Sequence, residues 1–101
     1  MRIFVAGPWG DFSGESSEII EANIYIADIT GQGLVREGHE VYIPHTMCRT
    51  WSGKFPMEDM QRLDRSFLEH WAEAIYRISG NSGGADAEVA FAKELGLKVL
   101  P

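Results

Sequence analysis

The sequence predicts an α/β three-layer sandwich, in which a parallel four-stranded sheet of order 2-1-3-4 carries helices on both faces. Three observations lead there. Short apolar runs recur at residues 2–6, 41–43, 74–78 and 97–100. Between them lie stretches whose apolar residues return at helical spacing. The first three runs also break off at turn-forming residues, namely Gly7-Pro8, Pro44 and Ser79-Gly80.

The first run, residues 2–6, reads as a strand buried on both faces, and Trp9 to Gly14 follows as a loop. Ser16 or Ser17 is suited to cap a helix with Glu18 and Glu21 near its start, where the dipole favours acids. Ile20, Ile24, Ala27, Leu34 and Val35 form its stripe. Gly31 and Gly33 interrupt that stripe at about 1 kcal/mol each, so the helix is expected to end early or bend. Gly38 stops it, and Val41-Tyr42-Ile43 is the second strand. His45 to Phe55 has no usable period.

Pro56 suits the first turn of the next helix, with Met57, Met60, Leu63, Phe67, Leu68 and Trp71 as its apolar face. Ala74 to Ile78 is a third strand, and Ser79 to Gly84 a second glycine-rich loop. A last helix runs from Ala85 through Val89, Ala92 and Leu95 to Gly96, before a strand over Leu97 to Leu100. The order β-α-β-α-β-α-β with right-handed crossovers is the flavodoxin- or Rossmann-like arrangement, as a single domain over 1–101. Ligands of such sheets sit beyond the carboxyl ends of the strands where the order reverses, which here is between the two glycine-rich loops.

Composition narrows the function. With 101 residues, 45% hydrophobic, the chain can build one core and little more. Its formal charge of -6 disfavours polymeric nucleic acid and anionic membranes as partners. Cys48 is the only cysteine, which excludes an intramolecular disulfide and a Cys-rich zinc site. No signal-like segment or membrane-length apolar run is present, so a cytoplasmic protein is expected.

Asp64 breaks the pattern of its helix, because Met60, Leu68 and Trp71 share its face. A carboxylate there needs a partner, a place at the crevice rim, or a shifted pKa. Pairing with Arg62 or Arg65 at the rim is the structural alternative. Glu88 lies one turn into the last helix, where backbone amides and the dipole favour an ionised carboxylate suited to a nucleophile. Acidic residues also stand in first turns for stability alone, as Asp86 illustrates.

Ser82 and the amides of Gly83 and Gly84 form a possible anion seat, with helix capping as the alternative. Gly7 and Gly10 do not complete a G-x-G-x-x-G fingerprint, which argues against NAD. Trp9, Phe12 and Trp51 are candidates for stacking on a flat base, or for the core. His39, His45 and Cys48 have no metal-ligand spacing, so no metal site is expected.

Leu63-Asp64, Ser79 to Glu88 and Ala92 to Gly96, with Ile3 to Pro8 and Glu37 to Val41, resemble the nucleoside 2-deoxyribosyltransferase superfamily. Glu88 stands 24 residues after Asp64 and six after Ser82, as in its 5'-monophosphate N-glycosidase branch. The resemblance implies that Glu88 attacks the anomeric carbon, that Asp64 assists at the glycosidic bond, and that Ser82 sorts substrates towards a nucleoside 5'-monophosphate. It also implies a substrate-binding loop at Gly7, Pro8, Trp9 and Gly10, and a homodimer paired through helices. Phe4 departs from the family, whose members often carry a Tyr there to steady the nucleophile, and Pro8 to Gly14 lacks Arg or Lys.

The implied chemistry is cleavage of an N-glycosidic bond through a covalent glycosyl-enzyme, by hydrolysis or by transfer to another base. It requires no cofactor. Opposite environments are expected to push the two carboxyl pKa values apart, with Asp64 the acid and Glu88 the ionised nucleophile. A non-catalytic nucleotide-binding module of the same fold is the rival expectation.

Overall fold

A computed structural model describes residues 1–10, 17–51 and 53–101. Ser16 and Phe12, candidates for capping and stacking, lie outside the described residues. The elements are β1 (Arg2–Ala6), α1 (Ser17–Arg36), β2 (Glu40–Tyr42), α2 (Pro44–Trp51), α3 (Met57–His70), β3 (Ala74–Arg77), α4 (Gly83–Glu94) and β4 (Lys98–Leu100). The four strands form one parallel sheet in the order β2-β1-β3-β4, as the sequence predicts.

Alternation along the strands divides the core. Ile3, Val5 and Ala74 face α1 through Leu34, whereas Phe4, Ala6 and Ile75 face α3 and α4 through Leu68, Ala72, Ala85 and Ala92. The register sets Phe4 opposite both Tyr42 and Ile75, and Ala6 opposite Arg77. The carboxyl ends of β1, β2 and β3 therefore open onto the α3–α4 face side by side.

Three elements differ from expectation. α1 runs unbroken for 20 residues, because Gly31 serves packing rather than termination. A Cβ at Gly31 would collide with Ile43 Cδ1, so the missing side chain lets α1 lie close against the end of β2. Val35, counted in the stripe, is 54% exposed. α2 was not legible, because its buried residues are Pro44, at the first helical position, and the polar His45. Met57 opens α3 but is 75% exposed and contributes nothing to its apolar face.

The two glycine-rich loops touch. Ile78 N–H donates to the Ala6 carbonyl at 2.8 Å, and a Cβ on Gly7 would lie 2.9 Å from Ile78 Cβ. Gly80, at φ +125°, would place a Cβ 2.8 Å from Pro8 Cγ. Ile78 Cβ belongs to the branched base of its side chain and cannot rotate away. Gly7→Ala is therefore expected to lower unfolding stability by about 1–3 kcal/mol, read from the urea midpoint. An unchanged midpoint would mean that the loops separate freely.

Candidate active site

Asp64 sits mid-way along α3, one turn before Phe67 and Leu68, which pack into the core. Neither neighbouring arginine pairs with it. Arg62 bonds Asp59 at 3.3 Å, and the Arg65 guanidinium lies 4.1 Å over the Phe91 ring. The rim ion pair weighed from the sequence is thus absent among the described residues. Asp64 Oδ1 is instead buried without a hydrogen-bond partner.

Glu88 reaches Asp64 from α4. It lies three residues after Ala85 and four before Ala92, both buried, so helix geometry turns its side chain towards the sheet. Asp86, one helical step away in the other direction, is 73% exposed and bonds Arg77 at 3.0 Å. Asp86 fits the stability role that was the alternative for Glu88. Glu88 is a different case, because its carboxyl lies near enough to that of Asp64 for each to shift the other's titration.

Their electrostatics depart from expectation, because both carboxyls are shifted upward. Burial pushes the Asp64 carboxyl above its ordinary range, against the lowering effect of the nearby Glu88 and Tyr42 polar groups. Burial also pushes Glu88 up, and the neighbouring Asp64 charge adds to it, with Arg77 opposing only in part. The helix dipole expected to keep Glu88 ionised is outweighed by desolvation and the like charge. Both carboxyls are thus harder to ionise than free ones, and the two titrate as one interacting pair.

Tyr42 and α2 complete the enclosure. The Tyr42 ring stacks on Phe67, with centroids 3.8 Å apart and planes at 8°, and its hydroxyl faces Asp64. Burial, then the Asp64 charge, raises its pKa well above that of a free phenol. Burial likewise pushes the Cys48 thiol up to about 11, helped by Asp64 and Glu88. Sequence reading missed Tyr42, whose place opposite Phe4 sets its side chain on the same face of the sheet as the carboxyl pair.

The loop after β1 is held from two sides. His45 Nε2–H donates to the Pro8 carbonyl at 2.9 Å, and Asn23 donates to the Trp9 carbonyl at 2.9 Å. His45 is 5% exposed, and burial lowers its pKa against the raising effect of the Pro8 and Gly7 carbonyls. The ring is thus neutral, with Nδ1 buried and unpartnered. Gly7, Pro8, Trp9 and Gly10 are each half-buried, and Trp9 faces His45 with ring centroids 6.1 Å apart.

Ser82 is the N-cap of α4, where its Oγ accepts from Ala85 N–H at 3.1 Å. That is the capping role weighed from the sequence, and it leaves the hydroxyl proton free to donate. The amides of Gly83 and Gly84 make no hydrogen bond among the described residues. Arg77 fixes the loop leading to this cap, donating to the Ile78 and Gly80 carbonyls and to Asp86. No direct contact joins Ser82, Gly83 or Gly84 to the carboxyl pair among the described residues.

The two loops meet, and beside their contact Pro8 of the first and Ile78 and Ser79 of the second line a shared hollow. This hollow of about 350 Å³, bounded by Pro8, Asn23, Ile26, Tyr76, Ile78 and Pro101, lies on the α1 side of the sheet and is lined by neither carboxyl. The acid pair lies on the opposite face, between α3 and α4. Among the described residues no cluster of His, Cys, Asp and Glu is placed to hold a metal, and no helix is long and apolar enough to cross a membrane. No protein-family model matches the chain, and no curated protein matches it.

Proposed function

We propose that the chain cleaves the N-glycosidic bond of a nucleoside or nucleoside 5'-monophosphate through a covalent glycosyl-enzyme. One observation carries this reading: two half-buried carboxyls from separate helices lie close enough to interact, beside the stacked rings of Tyr42 and Phe67, and both are pushed up from their ordinary range. Such a pair supplies an acid and a nucleophile at one pH.

In the reacting form Asp64 carries a proton and Glu88 is ionised. The Glu88 carboxylate then attacks C1', the C1'–N bond breaks, and its electron pair leaves with the base, which takes the proton from Asp64. Asp64, now ionised, draws a proton from water that attacks C1' and frees Glu88, or a second base takes the place of water. The resemblance to the nucleoside 2-deoxyribosyltransferase superfamily supports the same roles. No step needs a metal or an organic cofactor.

Incubation with a panel of nucleosides and 5'-monophosphates, followed by chromatography, tests the reading. Release of free base is expected. Tight binding of a nucleotide without release would favour the non-catalytic module.

The phosphate seat has its own test, because Ser82 has two proposed tasks. Loss of the cap in Ser82→Ala is expected to cost about 1 kcal/mol of stability. Loss of a phosphate donor is expected to raise KM for a 5'-monophosphate without changing KM for the matching nucleoside. An unchanged KM for the 5'-monophosphate would leave Ser82 as a cap alone.

The proposal includes pairing of two copies through α1, whose Tyr25, Ile26 and Ile29 form an exposed apolar row. Analytical ultracentrifugation is expected to show a dimer that Ile26→Glu with Ile29→Glu dissociates. A monomer in the unaltered protein would contradict it.

A further inference from the structure

Tyr42 has no task in the reaction above, yet its surroundings aim it. The ring is clamped between Phe67, at 3.8 Å, and Phe4, at 5.5 Å. Phe67 follows Asp64 by three residues on α3, so the stacked ring points its hydroxyl along the helix towards the Asp64 carboxyl. That hydroxyl has one proton to give. It donates to Met47 Sδ at 3.2 Å, a weak acceptor, while Asp64 Oδ1 lies buried with no donor.

We propose that Tyr42 is a positioning residue that sets the acidity of Asp64, its hydroxyl turning from Met47 Sδ to the Asp64 carboxylate whenever Asp64 is ionised. This rests on the glycosidic reading. As the C1'–N bond breaks, its electron pair goes to the base and the Asp64 proton follows it there, leaving a carboxylate. The Tyr42 proton stays on Tyr42, and its hydrogen bond strengthens as that charge forms. Protonated Asp64 is thereby made a stronger acid towards the departing base.

The titratable groups facing Tyr42 are Asp64 from α3, Glu88 from α4 and Cys48 from α2. β1 contributes only the Phe4 ring. Cys48 remains a neutral thiol, and of the two carboxyls Asp64 acts on Tyr42 more strongly than Glu88, so the Asp64 carboxylate is the anion the hydroxyl meets.

Tyr42→Phe keeps the stack and removes the donor. On a nucleoside cleaved by the unaltered protein, kcat is expected to fall about 10²-fold. On the p-nitrophenyl glycoside of the same sugar, whose leaving group departs without a proton, kcat is expected to stay within about 3-fold because proton donation is not needed. Equal losses on both substrates would overturn the proposal, since disturbed packing affects both alike.

Carbon-13 NMR titration of the aspartate carboxyls reads the same bond without turnover. Asp64 is expected to titrate at higher pH in Tyr42→Phe, and an unmoved titration would overturn the proposal. Should the unaltered protein cleave no substrate, the glycosidic reading falls, and the titration alone then decides whether Tyr42 governs Asp64.

Discussion

Glu88→Gln is expected to lose base release by at least about 10³-fold, since no neighbouring group can replace a missing nucleophile in a covalent displacement. Glu88→Ala is expected to do the same. In each variant the circular dichroism spectrum should remain that of the folded chain, because the buried alanines flanking Glu88 on α4, and not Glu88 itself, pack the helix onto the sheet. Chromatography of the reaction mixture provides the measurement. Turnover by purified Glu88→Ala would remove Glu88 from the mechanism.

The same substitution is expected to stabilise the protein in mildly alkaline solution. A carboxyl whose folded pKa is raised favours folding while protonated, so its contribution is present below the ordinary carboxylate range and is lost as pH rises through the folded value. Asp64 and Glu88 both shift this way.

His45 shifts in the opposite direction. Its folded pKa is lowered, so its contribution is present above the ordinary histidine value of about 6.5 and lost as pH falls below it. Between about pH 6.5 and 8 the carboxyl pair therefore governs the slope, since Cys48 and Tyr42 titrate only in stronger alkali. The unaltered protein should lose stability across this window, and Glu88→Gln should lose much less. At pH 8 the variant is expected to gain on the order of 1–2 kcal/mol, or about 4–8 °C in Tm per kcal/mol. Parallel slopes in thermal melts of the two proteins would show that Glu88 carries no buried charge.

Sheet order and strand positions were legible because burial on both faces leaves uninterrupted apolar runs, as at Ile3-Phe4-Val5 and Ala74-Ile75. Asp64 was legible for the converse reason, since a carboxylate in the row of Met60, Leu68 and Trp71 has no structural purpose there. Glu88 carried a quieter signal in its spacing from Ala85 and Ala92. Small residues mark a core face less clearly than large ones, so that spacing did not separate it from Asp86.

The charge state of the pair was not legible, because it depends on how deeply two helices bury it, and the sequence shows only local dipoles. α2 escaped for a related reason. It is anchored through a histidine bonded to the Pro8 carbonyl rather than through an apolar stripe. Tyr42 read as one more residue of an apolar strand until its register beside Phe4 placed its hydroxyl among the acids. Gly31 looked like a helix breaker, and only the Ile43 side chain packed against it explains its presence.

Mass spectrometry of the protein, acid-quenched during turnover and digested with trypsin, tests the covalent step directly. Cleavage after Arg62, Arg65, Arg77 and Lys93 places Asp64 and Glu88 on different peptides. A glycosyl adduct on Glu88 in the peptide spanning residues 78–93 is the expected result. Base released with the adduct on any other residue, or with every peptide unmodified under conditions that trap the intermediate, would contradict the assignment of Glu88 as nucleophile.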